Sequence, residues 1–157
     1  MIFIPGNYKE SANIIKEARS LGINATILGD DLWQNDSFIN IGKDSVEDVI
    51  FPTFFDETNP LTDESKKFID EYFKTYYQAP TCIAANAYDA YLLILHGLNY
   101  NNSADPADIR NGMSLTKNLE GATGYIIMDS DRNPIKDMIL FTVKDGAFTY
   151  KDIVKSQ

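Results

Sequence analysis

The alternation of apolar and polar segments along the chain predicts an α/β protein. Apolar runs at Ile2–Ile4 and Ala25–Leu28 are typical of short, fully buried strands. Between them, apolar residues recur at helical spacing from Ala12 to Leu21, and Gly22 stands where a helix ends. Because the connections are short, this strand–helix–strand succession predicts a parallel βαβ unit.

Two later segments carry less regular patterns. Val49–Phe55 is apolar and aromatic but contains Pro52, which predicts an edge or crossing strand rather than a central one, because proline cannot donate to a sheet ladder. Thr62 is a good helix cap before an amphipathic helix. Thr81–Leu98 has almost no polar face, and this predicts a helix that is buried on most sides.

The C-terminal third changes to a pattern of short strands. Tyr125–Met128, Met138–Val143 and Phe148–Ile153 are separated by polar turns, as in an antiparallel hairpin or meander. The turn at Asp129–Asn133 resembles the start of a calcium loop but lacks the glycine and glutamate that such a loop needs at its sixth and twelfth positions. It is therefore predicted to be a turn, and no metal site is expected.

Composition and charge exclude several classes of partner and of functional site. The 157 residues include 14 Lys and Arg against 23 Asp and Glu, a formal net charge of −9, which disfavours nucleic acid and anionic membranes as partners. The single cysteine, Cys82, excludes an internal disulfide and a cysteine-based zinc site. His96 is the only histidine, and the chain has no glycine-rich phosphate loop or nucleophile motif. We therefore predict neither an enzyme nor a cofactor.

Two loops follow the strands of the predicted βαβ unit, Pro5–Tyr8 after the first and Gly29–Trp33 after the second. The carboxyl ends of neighbouring parallel strands lie at the same edge of a sheet, so the two loops are expected to meet. The Tyr8 phenol and the carboxylates of Asp30 and Asp31 would then stand on one rim.

Such a rim has a functional and a structural interpretation. A carboxylate can bind a cationic group, a phenol can hydrogen-bond, and the Trp33 ring can stack on a ligand. Alternatively, Asn7 caps the following helix and Asp30–Asp31 is a solvated acidic turn. The residues by themselves leave both interpretations open.

Five stretches, in an order that covers nearly the whole chain, carry a family pattern: Ile2–Glu10, Ile14–Gly22, Ile27–Trp33, Ala87–Ala90 and Leu119–Gly124. In order and spacing they resemble the C-terminal half of type I periplasmic solute-binding proteins, the leucine/isoleucine/valine-binding kind that serve ABC transporters. The resemblance implies an incomplete version of a fold with two α/β lobes that close on a small ligand, usually an amino acid.

The resemblance also implies a domain organisation. Residues 1–50 and 122–157 would form part of the ligand-binding lobe two, and residues 51–121 part of lobe one. Hinge crossings are expected near 51–54 and 119–124.

The ligand-binding residues are likewise implied by the resemblance. Tyr8 of the first loop would line the cleft, with Asn7 next to it. Asp31 would bind the α-ammonium group of the ligand, with Trp33 beside it, because a buried ammonium needs a carboxylate partner. Ile83, early in the apolar helix, would approach the ligand side chain from the other lobe.

The second loop departs from the family pattern. Members commonly carry Gly-Gly-Asp-Gly-Trp where this chain has Gly29-Asp30-Asp31-Leu32-Trp33. Asp30 and Leu32 therefore replace small residues, and these replacements can alter the geometry of the rim and the binding of an ordinary ligand.

The leading hypothesis is a portion of an extracytoplasmic amino acid receptor that delivers its ligand to an ABC permease. No signal-peptide pattern precedes Ile2, and a chain that starts in mid-strand is expected to be cut from a longer one, in the periplasm or anchored outside the cell. The missing N-terminal half, or a second copy by dimerisation or domain swapping, would then cover its apolar surface. Two alternatives stay open: a self-standing or engineered fragment without ligand, and a small flavodoxin-like enzyme, which the missing phosphate loop disfavours.

Overall fold

The computed structural model describes residues 1–156 and divides into two compact units. Unit 1 comprises residues 1–53 and 138–154, and unit 2 comprises residues 54–137 and 155–156. Residues 122–137 thus belong with 54–121, and the assignment of either unit to a lobe of a larger protein stays a prediction.

Unit 1 is a sheet with two helices and two short 3₁₀ turns, at Asp31–Trp33 and Lys43–Val46. Its elements are β1 (Ile2–Phe3), α1 (Tyr8–Ser20), β2 (Ile27–Leu28), α2 (Asp36–Gly42), β3 (Ile50–Thr53), β7 (Met138–Lys144) and β8 (Ala147–Val154).

Unit 2 contains three helices and a three-stranded sheet. Its elements are α3 (Asp63–Tyr76), α4 (Cys82–Asn101), α5 (Pro106–Ser114), β4 (Leu119–Gly121), β5 (Gly124–Met128) and β6 (Pro134–Ile135).

The five-stranded sheet of unit 1 has the order β1-β2-β3-β7-β8. β1, β2 and β3 run parallel, while β7 runs antiparallel to β3 and forms a hairpin with β8. The predicted βαβ unit is confirmed, with α1 as its crossover. Gly22 follows α1 with φ +76°, and its N–H donates to the Arg19 carbonyl, so it ends the helix as predicted.

The sequence prediction for the strand that contains Pro52 is wrong, because β3 is the central strand of this sheet. The Ile50 carbonyl accepts a hydrogen bond from the Gly29 N–H, at 2.9 Å, so Ile50 faces β2. Backbone groups alternate sides along a strand, and Pro52 therefore also faces β2, but at a level where β2 has already ended at Leu28. The missing N–H of Pro52 costs no ladder bond there.

Burial of the first strand is lower than predicted. Phe3 is 62% exposed and Ile2 is only partly buried. The reason is the position of β1, which is the edge strand of the sheet and has a neighbour on one side only. The core of unit 1 lies instead around Trp33, Phe38 and Phe51, all fully buried.

The prediction that α4 is buried on most sides is also wrong. α5 and β4 pack against α4, and its buried residues are Cys82, Ala85, Asp89 and Gly97. The opposite face carries exposed residues at helical spacing: Ile83, Ala87, Ala90, Tyr91 and Ile94. A helix that is apolar on every side can be buried on every side. Only the faces that contact a packing partner are in fact buried.

The C-terminal strands are antiparallel as predicted, but they lie in two sheets rather than one continuous meander. β5 pairs with β4 and β6, whereas β7 pairs with β3 and β8. The Asp129 carboxylate accepts from the backbone N–H groups of Asp131 and Asn133, both at 2.8 Å. This confirms the predicted turn and places it between β5 and β6.

Candidate functional site

The loops after β1 and β2 are joined by hydrogen bonds on both sides of Gly6. The Gly6 N–H donates to Asp30 Oδ2 at 2.7 Å, and the Gly6 carbonyl accepts from Trp33 Nε1 at 3.2 Å. The first loop (residues 5–8) and the second loop (residues 29–33) therefore meet at one edge of the sheet, as the parallel strands predict. We call the surface that they form together the rim.

Local sequence explains the shape of the second loop. Asp30 is the N-cap of the 3₁₀ turn, and its Oδ1 accepts from the Leu32 N–H at 3.1 Å. Gly29 lies directly against the indole of Trp33, and a Cβ at that position would overlap the ring. Only glycine lets the tryptophan pack back onto its own loop.

The side chain of Trp33 holds the rim together rather than presenting a face to solvent. It is fully buried and stacks on Phe38 with ring centroids 4.8 Å apart and an interplanar angle of 22°. Phe51 lies on another side, at 6.2 Å. The prediction placed Trp33 beside the ligand, but in this structure the indole has no exposed face on which a ligand could stack.

Asn7 and Tyr8 stand at the start of α1. Asn7 is exposed, and its side chain makes no capping hydrogen bond, in contrast to the structural interpretation of the sequence. Its backbone carbonyl instead accepts from the Ser11 N–H at 3.0 Å. The Asn7 carboxamide is thus available at the rim, next to the half-buried Tyr8.

Asp31 is the least constrained carboxylate of the second loop. It is half-buried, and within residues 1–156 its carboxylate makes no hydrogen bond or ion pair. A carboxylate that the fold does not use can accept hydrogen bonds from a cationic group. That Asp31 binds an ammonium at the rim stays a prediction.

Ile83 belongs to unit 2, where it occupies the first turn of α4 and is 72% exposed. An isoleucine so exposed contributes little to the core of its unit. Its contact with a ligand side chain stays a prediction.

One cluster in unit 2 was missed by the sequence prediction. The buried Asp89 carboxylate accepts from the backbone N–H groups of Ala122 at 2.5 Å and Thr123 at 3.1 Å. It also accepts from the Thr123 hydroxyl and pairs with Lys136 Nζ at 3.1 Å. A single acidic residue inside an otherwise apolar helix was the available signal, because such a charge must find partners.

Next to this cluster, Tyr88 donates its hydroxyl to the Glu64 carboxylate. Partial burial of the phenol, followed by its hydrogen bond to Glu64, raises the pKa of Tyr88 to about 12. Gly121 lies against Asp89 so closely that a Cβ there would overlap the carboxylate. The charged groups of this region therefore serve the fold.

No helix of residues 1–156 is both long and apolar enough to cross a membrane. In the same range, no three histidine, cysteine or acidic side chains come together as a metal ion would require.

Comparison with protein families gives one match over most of the chain. Residues 3–147 match the family model described as periplasmic binding protein. This confirms the resemblance that the five sequence stretches carry. A search of curated proteins gives no match.

Solved structures are similar over nearly the full chain. A leucine-binding protein from Thermotoga maritima has 31% identity and a TM-score of 0.89, covering 98% of this chain and 44% of its own. A branched-chain amino acid transporter substrate-binding protein from Streptococcus pneumoniae, solved with isoleucine, has 28% identity, a TM-score of 0.82 and the same coverages. An ABC transporter substrate-binding protein from Desulfitobacterium hafniense, in complex with Leu, has 25% identity and a TM-score of 0.77, covering 96% of this chain and 44% of its own.

The chain thus spans less than half the length of the structures that it matches. The predicted fold class, an incomplete type I periplasmic-binding-protein fold with parallel βαβ units and a C-terminal antiparallel hairpin, is confirmed by these similarities and by the sheet topology.

Proposed function

This chain belongs to the family of periplasmic binding proteins, and on that premise we propose that it is the C-terminal portion of an extracytoplasmic receptor for an amino acid. The receptor would deliver its ligand to the permease of an ABC transporter, in the periplasm or at the outer side of the membrane. Proteins of this family bind solutes and do not transform them, so no catalytic residue is proposed.

The observation that carries the proposal is the free carboxylate of Asp31. Asp31 stands in a loop that is tied by hydrogen bonds to the loop of Asn7 and Tyr8. An amino acid brings an α-ammonium group, which pays a high desolvation cost on burial unless a carboxylate pairs with it. In the proposed complex Asp31 accepts hydrogen bonds from this ammonium, and Asn7 and Tyr8 offer further polar contacts.

The ligand class is supported by what similar proteins bind. Two of the structures described above contain isoleucine or Leu, and a third is a leucine-binding protein. Leucine and isoleucine are therefore the first ligands to test. Ile83 is the proposed contact for their side chains.

Completion by a further segment is proposed from the length difference and from exposed apolar surface. The similar structures are more than twice as long, and α4 exposes an apolar face that includes Ile83, Tyr91 and Ile94. A face of this kind is usually covered in a finished protein. The occupant would be the remainder of a longer receptor chain or a second copy of this one.

Calorimetric titration with a panel of amino acids tests the proposal, using this chain and the complete protein that contains it. We expect leucine or isoleucine to bind, and Asp31→Asn to weaken binding at least about 30-fold, because it removes the charge that faces the ammonium. Asp145→Asn, in an exposed turn of unit 1, is the matched control and should bind as the unchanged protein does. Failure of every amino acid to bind, or full affinity in Asp31→Asn, would contradict the proposal.

A further inference from the structure

Asp30 and Asp31 are neighbours of the same type with opposite surroundings. Both oxygens of Asp30 accept backbone hydrogen bonds, Oδ2 from the Gly6 N–H at 2.7 Å and Oδ1 from the Leu32 N–H at 3.1 Å. The Asp31 carboxylate has no such partner within residues 1–156. The two carboxylates are therefore not a joint acidic site, because one of them is already used by the backbone.

From this contrast we infer that Asp30 is a positioning residue, which fixes the place of Asp31 and so sets the affinity of the rim for an ammonium group. The part of this inference that concerns affinity rests on the proposed function. The part that concerns loop geometry does not.

The 3₁₀ turn that carries Asp31 is only weakly stabilised by its own hydrogen bonds. It has three residues, and its two backbone hydrogen bonds are long, Trp33 N–H to the Asp30 carbonyl at 3.3 Å and Gln34 N–H to the Asp31 carbonyl at 3.5 Å. Bonds at this length are weak. Contacts from outside the turn therefore contribute to the position of Asp31.

Several contacts fix the turn from outside: Trp33 packs on Phe38 and Phe51, and the Thr53 hydroxyl donates to the Gln34 side chain. Two further hydrogen bonds, one at each end of the turn, both lead to Gly6. Asp30 binds the Gly6 N–H before the turn, and the Trp33 indole binds the Gly6 carbonyl at its end. Gly6 has φ +143°, a conformation that favours glycine. Asp31 thus lies between two contacts with one residue of the first loop. Removal of the Asp30 contact breaks the link to that loop at the N-terminal end of the turn, while the Gly29 N–H stays bound to the Ile50 carbonyl.

The chain contains its own reporter for this contact. Trp33 is the only tryptophan, it is fully buried, and its indole N–H is bound to the residue that Asp30 holds. If the Asp30 contact is lost, Gly6 can move, and the surroundings of the indole change. Tryptophan emission therefore reads the geometry of the rim without any ligand.

The test compares Asp30→Asn with Asp31→Asn, each by three measurements. Asn at position 30 keeps one oxygen but replaces the other with an NH₂ group, which cannot accept from a backbone N–H. The measurements are Trp33 emission and its quenching by acrylamide, the ¹³C carboxylate signal of Asp31 in the ligand-free protein, and leucine affinity by calorimetry. Asp145→Asn is the common control.

We expect Asp30→Asn to shift Trp33 emission to longer wavelength, to move the Asp31 carboxylate signal, and to weaken leucine binding about 10-fold, the factor expected for one lost hydrogen bond. Asp31→Asn should leave emission unchanged and weaken leucine binding more. Asp30→Ala repeats the test without the remaining oxygen, and circular dichroism confirms that each variant is folded.

Three results would overturn the inference. If Trp33 emission and the Asp31 carboxylate signal are both unchanged in Asp30→Asn, Asp30 does not position the loop. Weaker binding with both signals unchanged would make Asp30 a direct ligand contact. Changed signals with full affinity would limit Asp30 to a structural role. If the unchanged protein binds no amino acid, the proposed function fails, while the two ligand-free signals still decide whether Asp30 positions Asp31.

Discussion

Asp31 in unit 1 and Asp89 in unit 2 are the same kind of side chain in opposite circumstances. Asp89 is 4% exposed and accepts hydrogen bonds from Ala122, Thr123 and Lys136. Asp31 is half-buried, and its carboxylate has no hydrogen-bond or ion-pair partner among residues 1–156. A buried carboxylate is stable only with partners of this kind. A carboxylate near the surface that has no partner in the fold is available to bind a ligand.

The comparison separates carboxylates that build the fold from those that are available for function. In unit 2 the Asp89 cluster joins α4 to the turn between β4 and β5 and to Lys136. In unit 1 Asp30 has the comparable structural role, because it joins the two loops of the rim. The sequence places Asp30 and Asp31 side by side, and only their contacts distinguish them.

The largest effect is expected from Asp89→Ala. Removal of the carboxylate leaves the Lys136 ammonium without its counter-charge and two backbone N–H groups without an acceptor in a buried place. We expect the free energy of unfolding, measured by urea denaturation, to fall by about 3–5 kcal/mol.

Lys136→Met is the control for this variant. It removes the charge but leaves the backbone donors of Asp89 in place, so a smaller loss is expected. If Asp89→Ala loses less than Lys136→Met, the cluster is not organised around the carboxylate and the comparison with Asp31 breaks.

A pair of glycine substitutions compares the two regions directly. A Cβ at Gly121 would overlap the Asp89 carboxylate, and a Cβ at Gly29 would overlap the Trp33 ring. Each substitution by alanine should lower the free energy of unfolding by about 1–3 kcal/mol, because the packed neighbour must move. Lys16→Ala, exposed on α1, is the control.

The same two glycine substitutions also compare the effect of each region on the rim. Gly29→Ala should also shift Trp33 emission and weaken leucine binding, while Gly121→Ala should leave the emission unchanged. Equal emission changes in both variants would contradict the view that the rim is organised locally.

The third prediction concerns the pH dependence of unit 2. The pKa of Tyr88 is raised to about 12, against an ordinary value near 10 in the unfolded chain. The folded state therefore keeps this proton between pH 10 and 12 while the unfolded state loses it, so the stabilisation is complete below pH 10 and is lost as the pH rises toward 12. The unfolding temperature, measured at pH 9 and pH 11, should fall less steeply in Tyr88→Phe than in the unchanged protein. An equal fall in both would contradict the prediction.

The smallest effect is expected from Asp31→Asn. Since no residue in the described range depends on this carboxylate, the free energy of unfolding should change by less than about 0.5 kcal/mol. Urea denaturation of Asp31→Asn, measured in parallel with Asp89→Ala, checks this expectation. A loss above 1 kcal/mol, which is the size of one hydrogen bond, would mean that Asp31 has a structural partner.

The sequence predicted the parts of the fold that depend on local rules. Gly22 ends α1, the βαβ unit is parallel, and the loops after β1 and β2 meet. Each of these follows from chain direction, short connections and residue conformation, which are all visible in the order of residues. The meeting of the loops is the most useful of them, because it brings Tyr8 and Asp31 onto one rim.

Other features depend on neighbours that a sequence does not identify. Pro52 lies in a central strand because the adjacent β2 ends early, and α4 stays partly exposed because packing partners cover one face only. Trp33 was predicted to stand beside the ligand, and its burial against Gly29 and Phe38 depends on packing that the sequence does not show. Lys136 lies 47 residues from Asp89, too far for any local pattern to pair them.

Pro52 of β3 also affects the register in which β2 pairs with β3. β2 has two residues, and Leu28 opposite Ile50 is its single aligned pair with β3, which is too little to define one alignment alone. A slide of β2 by one residue turns its side chains to the wrong face, and a slide by two brings Leu28 opposite Pro52, where no N–H can donate. Pro52 thus disfavours the alignment in which β2 is displaced by two residues toward the C-terminal end of β3.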